Sequence, residues 1–254
     1  MMNAIGPREQ LILDQLQGKG VVQVHELSEH LNVSEVTIRR DLTAMEDKGL
    51  LLRVHGGATL AGMSRKEPVF RDKESAHLEA KSAIARAAFE LIKDGDMIYL
   101  DGGSTVLQLA KLLDSRQGLT IVTNSIMAAA NLMDTEHRLI LVGGEFRQLS
   151  RTLVGPLTER IINSLHVNVA FMGTIGFDLT SGMTTTDPNE AHTKELIMKR
   201  AGKVVLLADG SKLGTSSFAQ SGNLTDLDAL ISEQIPDSIR DALERLHIQV
   251  IKAE

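Results

Sequence analysis

Apolar positions in residues 1–60 recur at helical spacing in short runs separated by turn signals. Pro7 stands where a helix can begin, and Ile12, Leu13 and Leu16 follow on one face before Gly18 and Gly20 interrupt it. The stretch "VVQV" reads as a short extended piece, and "HELSEHL" as a second helix with Leu27 and Leu31 turned inward. After a tight "NV" turn, Ser34 is a good N-cap for a third helix running to about Lys48, with Gly49 as its stop. "LLLRVHGGATL" then reads as strand, turn, strand, reversing at His55-Gly56-Gly57. Three short helices and a small hairpin predict an N-terminal winged helix-turn-helix over 1–60.

The periodicity breaks over 61–75, "AGMSRKEPVFRDKES", where mixed charge and a proline predict a linker. From 76 to 254 a long helix, "HLEAKSAIARAAFELI", is followed by short aliphatic strands alternating with helices. The strands are "DMIYL", "LTIVT", "RLILVGG", "VNVAFMG", "KVVLLAD", "LDALIS" and "IQVIKA". Near-continuous apolar strands interleaved with helices predict a C-terminal α/β domain with a largely parallel sheet. No repeat or low-complexity tract is visible.

On the third helix, 100° per residue puts Ile38, Leu42 and Met45 on one buried stripe. Val36 and Arg40 then point outward, flanked by Thr37 and Arg39, with Ser34 and Glu35 at the helix start. Such a face is a poor solvent surface and a good groove reader: a valine methyl can meet a thymine methyl, and Thr and Arg can reach base edges or phosphates. Arg53 and His55, in the hairpin, would lie against the adjacent backbone or minor groove. The competing reading pairs Arg39 and Arg40 with Glu35 or Asp41 on an ordinary solvated helix; the ordered series of elements favours DNA.

Composition then sets limits. At 254 residues the chain is long enough for two domains, each with a core. The formal net charge is −6, and residues 1–60 carry six Lys and Arg against eight Asp and Glu, so contact with nucleic acid must come from local placement. There is no cysteine, which excludes disulfides and thiolate metal sites. His25 and His30 are five apart, which turns their rings about 140° from each other and away from the i,i+4 pairing of a zinc-protease helix. No metal site and no cofactor is predicted. "MMNAIGPREQ" lacks a secretory pattern, and no apolar run approaches the roughly 18–20 residues that span a bilayer, so the expected location is the cytoplasm, with no membrane partner.

In the α/β domain the chemistry gathers at strand ends. "YLDGGST" runs from a strand through Asp101-Gly102-Gly103-Ser104-Thr105 into a helix, offering backbone N–H groups and hydroxyls suited to a phosphate. Thr123-Asn124 follows "LTIV"; Gly143-Gly144-Glu145, with Arg147 nearby, follows "LILV"; Asp209-Gly210-Ser211-Lys212 follows "VVLLA". Ligands of open parallel sheets bind outside the carboxyl ends of strands, so these ends predict a small-anion pocket. No G-x-G-x-x-G opens a helix with an acidic residue about 20 positions later, which counts against a dinucleotide site. Glu190 and Lys194 are spaced i,i+4, either a surface ion pair or, following the Gly173-Thr174 turn, part of the ligand site.

"LNVSEVTIRRDLTAMEDKGLLLRVHGGATL" resembles the N-terminal signature of the DeoR family of bacterial transcriptional regulators. The likeness continues through "DGGST", "TNS", "VGGEFR", "FMGTIGFD", "MTTTDPNEAHTK" and "LLADGSKLG", in the order of that family's sensor domain. It implies a third helix in the major groove, a wing, and a C-terminal domain like ribose-5-phosphate isomerase that senses a phosphorylated sugar or sugar acid. It further implies double-stranded operator DNA as partner, a homo-oligomer (dimer or larger), and repression of a carbohydrate-catabolic operon. By that resemblance Gly102–Thr105 and Ser211-Lys212 hold the phosphate, while Thr123, Asn124, Gly143, Gly144, Glu190 and Lys194 line the sugar end. Glu35 and Val36 occupy positions where members differ and are the candidates for operator choice. The alternative, an isomerase-like enzyme with an appended DNA-binding domain, would need the isomerases' Asp-Gly-Ala-Asp-Glu carboxylates. The comparable stretch here is "MGTIGFD", so no catalytic residue is assigned. Many DeoR members also have Asp where this chain has Ile175; loss of that hydroxyl partner implies a ligand that is less polyhydroxylated, oxidised or held differently.

Overall fold

A computed structural model describes residues 6–19, 21–48, 50–54, 57–60, 67 and 69–254. The chain divides into two compact units, Met1–Lys66 and Glu67–Glu254. The expected stop at Gly49, the turn residues His55 and Gly56, and linker residues 61–66 lie outside the described residues.

In the first unit, helices α1 (Pro7–Lys19), α2 (Val24–His30) and α3 (Glu35–Asp47) accompany strands β1 (Val21–Gln23), β2 (Leu51–Val54) and β3 (Gly57–Leu60). The strand order is β1-β3-β2, so "VVQ" adds a third strand to the expected hairpin. Ile12, Leu16, Leu27, Ile38, Leu42, Met45 and Leu51 fill the core, as the helical stripes require. Ser34 is extended, and its hydroxyl accepts from the Thr37 N–H to cap α3.

The second unit opens with a departure from the expected linker: Phe70–Ser75 is a helix, α4, and Phe70 is buried in the unit's core. Burial of such a side chain is worth about 2–3 kcal/mol, which ties this segment to the α/β unit. Lys81, buried on α5 (Leu78–Phe89), gives its ammonium to the Lys73 and Ala76 carbonyls and so satisfies the end of α4.

Then follow β4 (Met97–Leu100), α6 (Ser104–Ala110), β5 (Thr120–Thr123), α7 (Ile126–Leu132), β6 (Arg138–Leu141), β7 (Glu145–Arg147), β8 (Thr152–Val154) and α8 (Pro156–Asn163). The chain continues with β9 (Val167–Met172), β10 (Gly176–Asp178), β11 (Gly182–Thr185), α9 (Pro188–Met198), β12 (Ala201–Leu207), β13 (Ala219–Gly222), β14 (Ala229–Ser232), α10 (Asp237–Arg245) and β15 (Gln249–Lys252). Among the described residues the main sheet has seven strands in the order β15-β14-β12-β9-β4-β5-β6, every neighbouring pair parallel. Its alternating side chains feed two cores: Leu100, Ile121, Phe171 and Leu207 meet α4 to α7, while Tyr99, Val122, Met172 and Leu206 meet α8 to α10. The antiparallel pieces, β7–β8 and β10-β11-β13, were not separately visible in the hydrophobic pattern.

This strand order decides where a site can lie. From β4 the chain adds β5 and β6 on one side, then returns to place β9, β12, β14 and β15 on the other. The order therefore reverses between β4 and β9, and open parallel sheets bind ligands outside the carboxyl ends at such a reversal.

Candidate functional site

Two groups of side chains stand out, one in each unit. In the first, α3 presents Val36, 74% exposed, with exposed Arg39 and Arg40. The two arginines differ. Arg39 bonds Glu35 at 2.8 Å, whereas Arg40 has no partner among the described residues. Asp41 turns away from both and holds Arg8 of α1 through two bonds of 2.6 and 2.9 Å. With Lys48–Glu9 at 2.7 Å, this braces α3 against α1. Arg53 donates to the Thr43 hydroxyl at 3.0 Å and its backbone N–H to Glu46 at 2.8 Å, so β2 is laced to the same helix. Ser34 and Thr37 share a hydroxyl–hydroxyl bond of 2.9 Å at the helix start. His55, expected on the wing, lies outside the described residues.

In the second unit the switch point is closely built. Gly173 N–H donates to Asp101 Oδ2 at 2.9 Å, and Lys194 Nζ donates to the same oxygen and to the Gly173 carbonyl at 3.0 Å. Asp101 and Lys194 are both about 2% exposed. Here the i,i+4 pair of the sequence is no surface bridge: Glu190 is buried too, with Oε1 3.9 Å from Lys194 Nζ. The approach of the two strand ends needs glycine, because a Cβ on Gly173 would sit 2.9 Å from the Gly102 carbonyl, and one on Gly102 would meet Thr152 of β8 at 2.0 Å.

Burial works against the Lys194 ammonium, but the charges of Asp101 and Glu190 and the Asp101 hydrogen bond outweigh it and raise its pKa. Burial raises the Glu190 carboxyl above the usual range despite Lys194 and Arg147, and the nearby Glu67 and Asp101 add to the rise.

Arg147, expected beside the anion, is engaged by protein carboxylates instead. It bonds Glu67 at 2.6 Å and stands 3.1 Å from Glu190 Oε2 and 3.6 Å from Asp187. Ser150 and Thr186 accept its remaining N–H groups at 3.1 and 3.2 Å. The contact with Glu190 is an attraction without hydrogen-bond alignment, since Glu190 Oε2 makes no hydrogen bond. Glu67 also takes Lys73 at 2.7 Å and the Thr186 hydroxyl. Its burial would raise the carboxyl, but Arg147, Lys73 and Thr186 prevail and hold its pKa at about 2.

Several other expected residues also have structural tasks. Asn124 Nδ2 donates to Leu153 at 3.2 Å, fastening β8 to the end of β5, while its buried Oδ1 is unpartnered. Thr123 donates to the Leu100 carbonyl at 2.6 Å, and Thr174 closes its own turn on the Gly176 carbonyl at 2.6 Å. Asp209 Oδ1 accepts from the Ser211 N–H and hydroxyl, leaving a buried Oδ2 without a bond. Gly102, Gly103, Ser104 and Thr105 lead into the first turn of α6, where backbone N–H groups lack intrahelical acceptors. Gly143, Gly144 and the exposed Glu145 lead from the end of β6 into β7, and Lys212 ends the short turn after β12. Sequence reasoning missed Glu67, Lys73, Thr186 and Asp187; Glu67 stood in a stretch without periodicity, and nothing in its spacing announced a buried partner. Among the described residues no group of three or more His, Asp or Glu could hold a metal ion, and no helix is long and apolar enough to cross a membrane.

A winged helix followed by a doubly wound parallel sheet with a polar switch point defines a two-unit helix-turn-helix regulator. Residues 8–62 match the DeoR-like helix-turn-helix domain, and residues 76–234 match the DeoR C-terminal sensor domain. The chain belongs to the DeoR family of transcriptional regulators. It is 36% identical to the HTH-type transcriptional regulator GlpR of Haloferax volcanii, over 96% of both chains. It is 34% identical to the glycerol-3-phosphate regulon repressor of Escherichia coli, over 94% of this chain and 95% of that one. Among solved structures, ribose 5-phosphate isomerase A from Methanocaldococcus jannaschii is similar at 22% identity and a TM-score of 0.42. That likeness covers 54% of this chain and 55% of the isomerase, so it spans about half of each.

Proposed function

We propose that the protein is a sequence-specific DNA-binding repressor of a carbohydrate-catabolic operon, relieved by a phosphorylated sugar, polyol or sugar acid. The observation that carries this reading is the outward face of α3, where Val36 and Arg40, which has no partner among the described residues, project from a helix braced by Arg8–Asp41 and Glu9–Lys48. A buried stripe on one side and exposed Val and Arg on the other suit a helix laid in the major groove. Self-association through the α/β unit pairs two such helices with half-sites about one DNA turn, roughly 34 Å, apart.

The effector lies at the carboxyl ends of β4, β9, β5 and β12. Gly102 to Thr105 and Ser211-Lys212 take the phosphate; Thr123, Asn124, Gly143, Gly144, Glu190 and Lys194 face the sugar end. The unpartnered Asn124 Oδ1 and Asp209 Oδ2 support a ligand rich in hydrogen-bond donors. The name of the Escherichia coli relative supports a phosphorylated three-carbon polyol as one member of the panel to try.

The test is a titration of the full chain against duplexes selected from random sequence, with and without polyol, sugar and sugar-acid phosphates. One ligand class is expected to weaken binding. Indifference to every such ligand removes the sensing half, and affinity that ignores salt removes the DNA half. Steady interconversion of pentose phosphates would instead support the enzyme reading.

A further inference from the structure

We propose that Glu67, Arg147 and Glu190 form a buried relay that ties occupancy of the strand-end site to the segment through which the chain enters the α/β unit. The inference deepens the proposed function and rests on its placing a ligand at the Asp101–Lys194 end.

The connections run without a gap. Lys194 joins Asp101 and Gly173 at the switch point, Glu190 stands 3.9 Å from Lys194, and Arg147 stands 3.1 Å from Glu190. Arg147 then bonds Glu67 at 2.6 Å. Glu67 directly follows Lys66, where the first unit ends, yet its side chain is only 2% exposed. Its other oxygen holds Lys73 of α4 at 2.7 Å, and Lys81 closes the end of that helix. The first residues of the α/β unit are thus fixed by ions that lead inward to the ligand end.

Arg147 is the element that the relay moves. Its guanidinium is divided between Glu67 on one side and Glu190 with Asp187 on the other, and its contact with Glu190 is not a hydrogen bond. Within this network the carboxylates are Glu67, Asp101, Asp187 and Glu190, and the cations are Lys73, Arg147 and Lys194. Carboxylates outnumber cations, so a ligand oxygen at the sugar end that takes a hydrogen bond from Lys194 leaves Glu190 less compensated and draws Arg147 from Glu67. A buried carboxylate that loses one of two cations is disfavoured, so Glu67, left with Lys73 and the Thr186 hydroxyl, shifts together with α4. This gives coupling a physical element that both ends bias.

Hydrogen exchange on the full chain tests the relay without a ligand. Lys194→Gln, and separately Asp101→Asn as the milder variant, should speed exchange of the 69–76 amides about fivefold or more by lowering their local opening free energy. In an Arg147→Lys background, which keeps the charge but loses the fork, Lys194→Gln should add no further change there. Changes confined to 101–105, 173–175 and 190–194, or full additivity with Arg147→Lys, would overturn the relay. Glycerol 3-phosphate, its binding measured by calorimetry, supplies the second arm. Binding with unchanged exchange at 69–76 also overturns the relay. Failure to bind, with the variant effects intact, counts against the effector reading alone.

Discussion

Arg40 and Val36 do different work from the residues beside them, and single substitutions should separate those roles. Arg40→Ala removes an exposed cation of the outward face, so binding to any duplex should weaken and the slope of log affinity against log salt should fall by about 0.9. Val36→Ala, at a position 74% exposed, should leave stability within about 0.5 kcal/mol while lowering affinity for the selected operator more than for random DNA. Equal losses on both duplexes would remove Val36 from base reading. Glu67 makes a separate prediction about acid stability. Its carboxyl titrates at about 2 in the folded chain against an ordinary value of 4.5, so the folded state binds its proton later than the unfolded state does. The resulting stabilisation, about 3 kcal/mol, is complete above pH 4.5 and is lost as pH falls toward 2. Glu190, raised by burial, works in the opposite sense and stabilises the folded state slightly as it gains a proton. Urea unfolding at pH 6 and pH 3 should therefore show a smaller acid loss in Glu67→Gln than in the parent; equal losses would contradict the assignment.

At the scale of elements, hydrophobic spacing revealed α3 because Ile38, Leu42 and Met45 make an uninterrupted stripe, and Ser34 marks its start. Ser34→Ala should cost about 1 kcal/mol in thermal or chemical unfolding, through loss of the cap on Thr37. The same method left two readings open on α9. Its inward face carries Glu190, Thr193 and Lys194 beside Ile197, and a periodicity that counts charged residues as solvated reads that face as outward. Only the strand-end partner, Asp101, shows why a lysine can be buried there. Helix α4 was hidden for a related reason: its single large apolar anchor, Phe70, gives no period, and Glu67, which holds its Lys73, is itself fixed by Arg147 far along the chain. Lys194→Met should destabilise by about 3–5 kcal/mol because it strands Asp101, and adding Asp101→Asn should recover part of the loss. Denaturant melts of the two single variants and the double variant give the coupling; strict additivity would mean the pair does not act as one.

For the whole molecule, the division into a winged helix and a parallel α/β unit was legible because the spacing of apolar residues changes character between them. The strand sequence was legible as well, but its spatial order was not. The ends of β4, β5, β6, β9 and β12 carry polar or glycine-rich turns, and only the order β9-β4-β5 shows which of them flank the reversal. Backbone pairing across more than 70 residues sets that order, and local patterning does not encode it. At this scale the prediction concerns linkage. A ligand present at 100 times its dissociation constant should stabilise the α/β unit by about 2.7 kcal/mol, read as a rise in its melting temperature. A rise seen only in the helix-turn-helix transition would place the ligand elsewhere.

The strand order also has a consequence in time. The winged helix has its own core and is synthesised first, whereas the strand reversal where the ligand is proposed to sit requires β9, and Lys194 beside it comes later still. At about 5–20 residues per second, the stretch from Glu67 to Lys194 takes roughly 6–25 s to emerge. Throughout that interval a nascent chain carries a folded DNA reader and no means of hearing the metabolite. Each newly made molecule therefore begins deaf to its signal and acquires its control only when the second half of the sheet arrives.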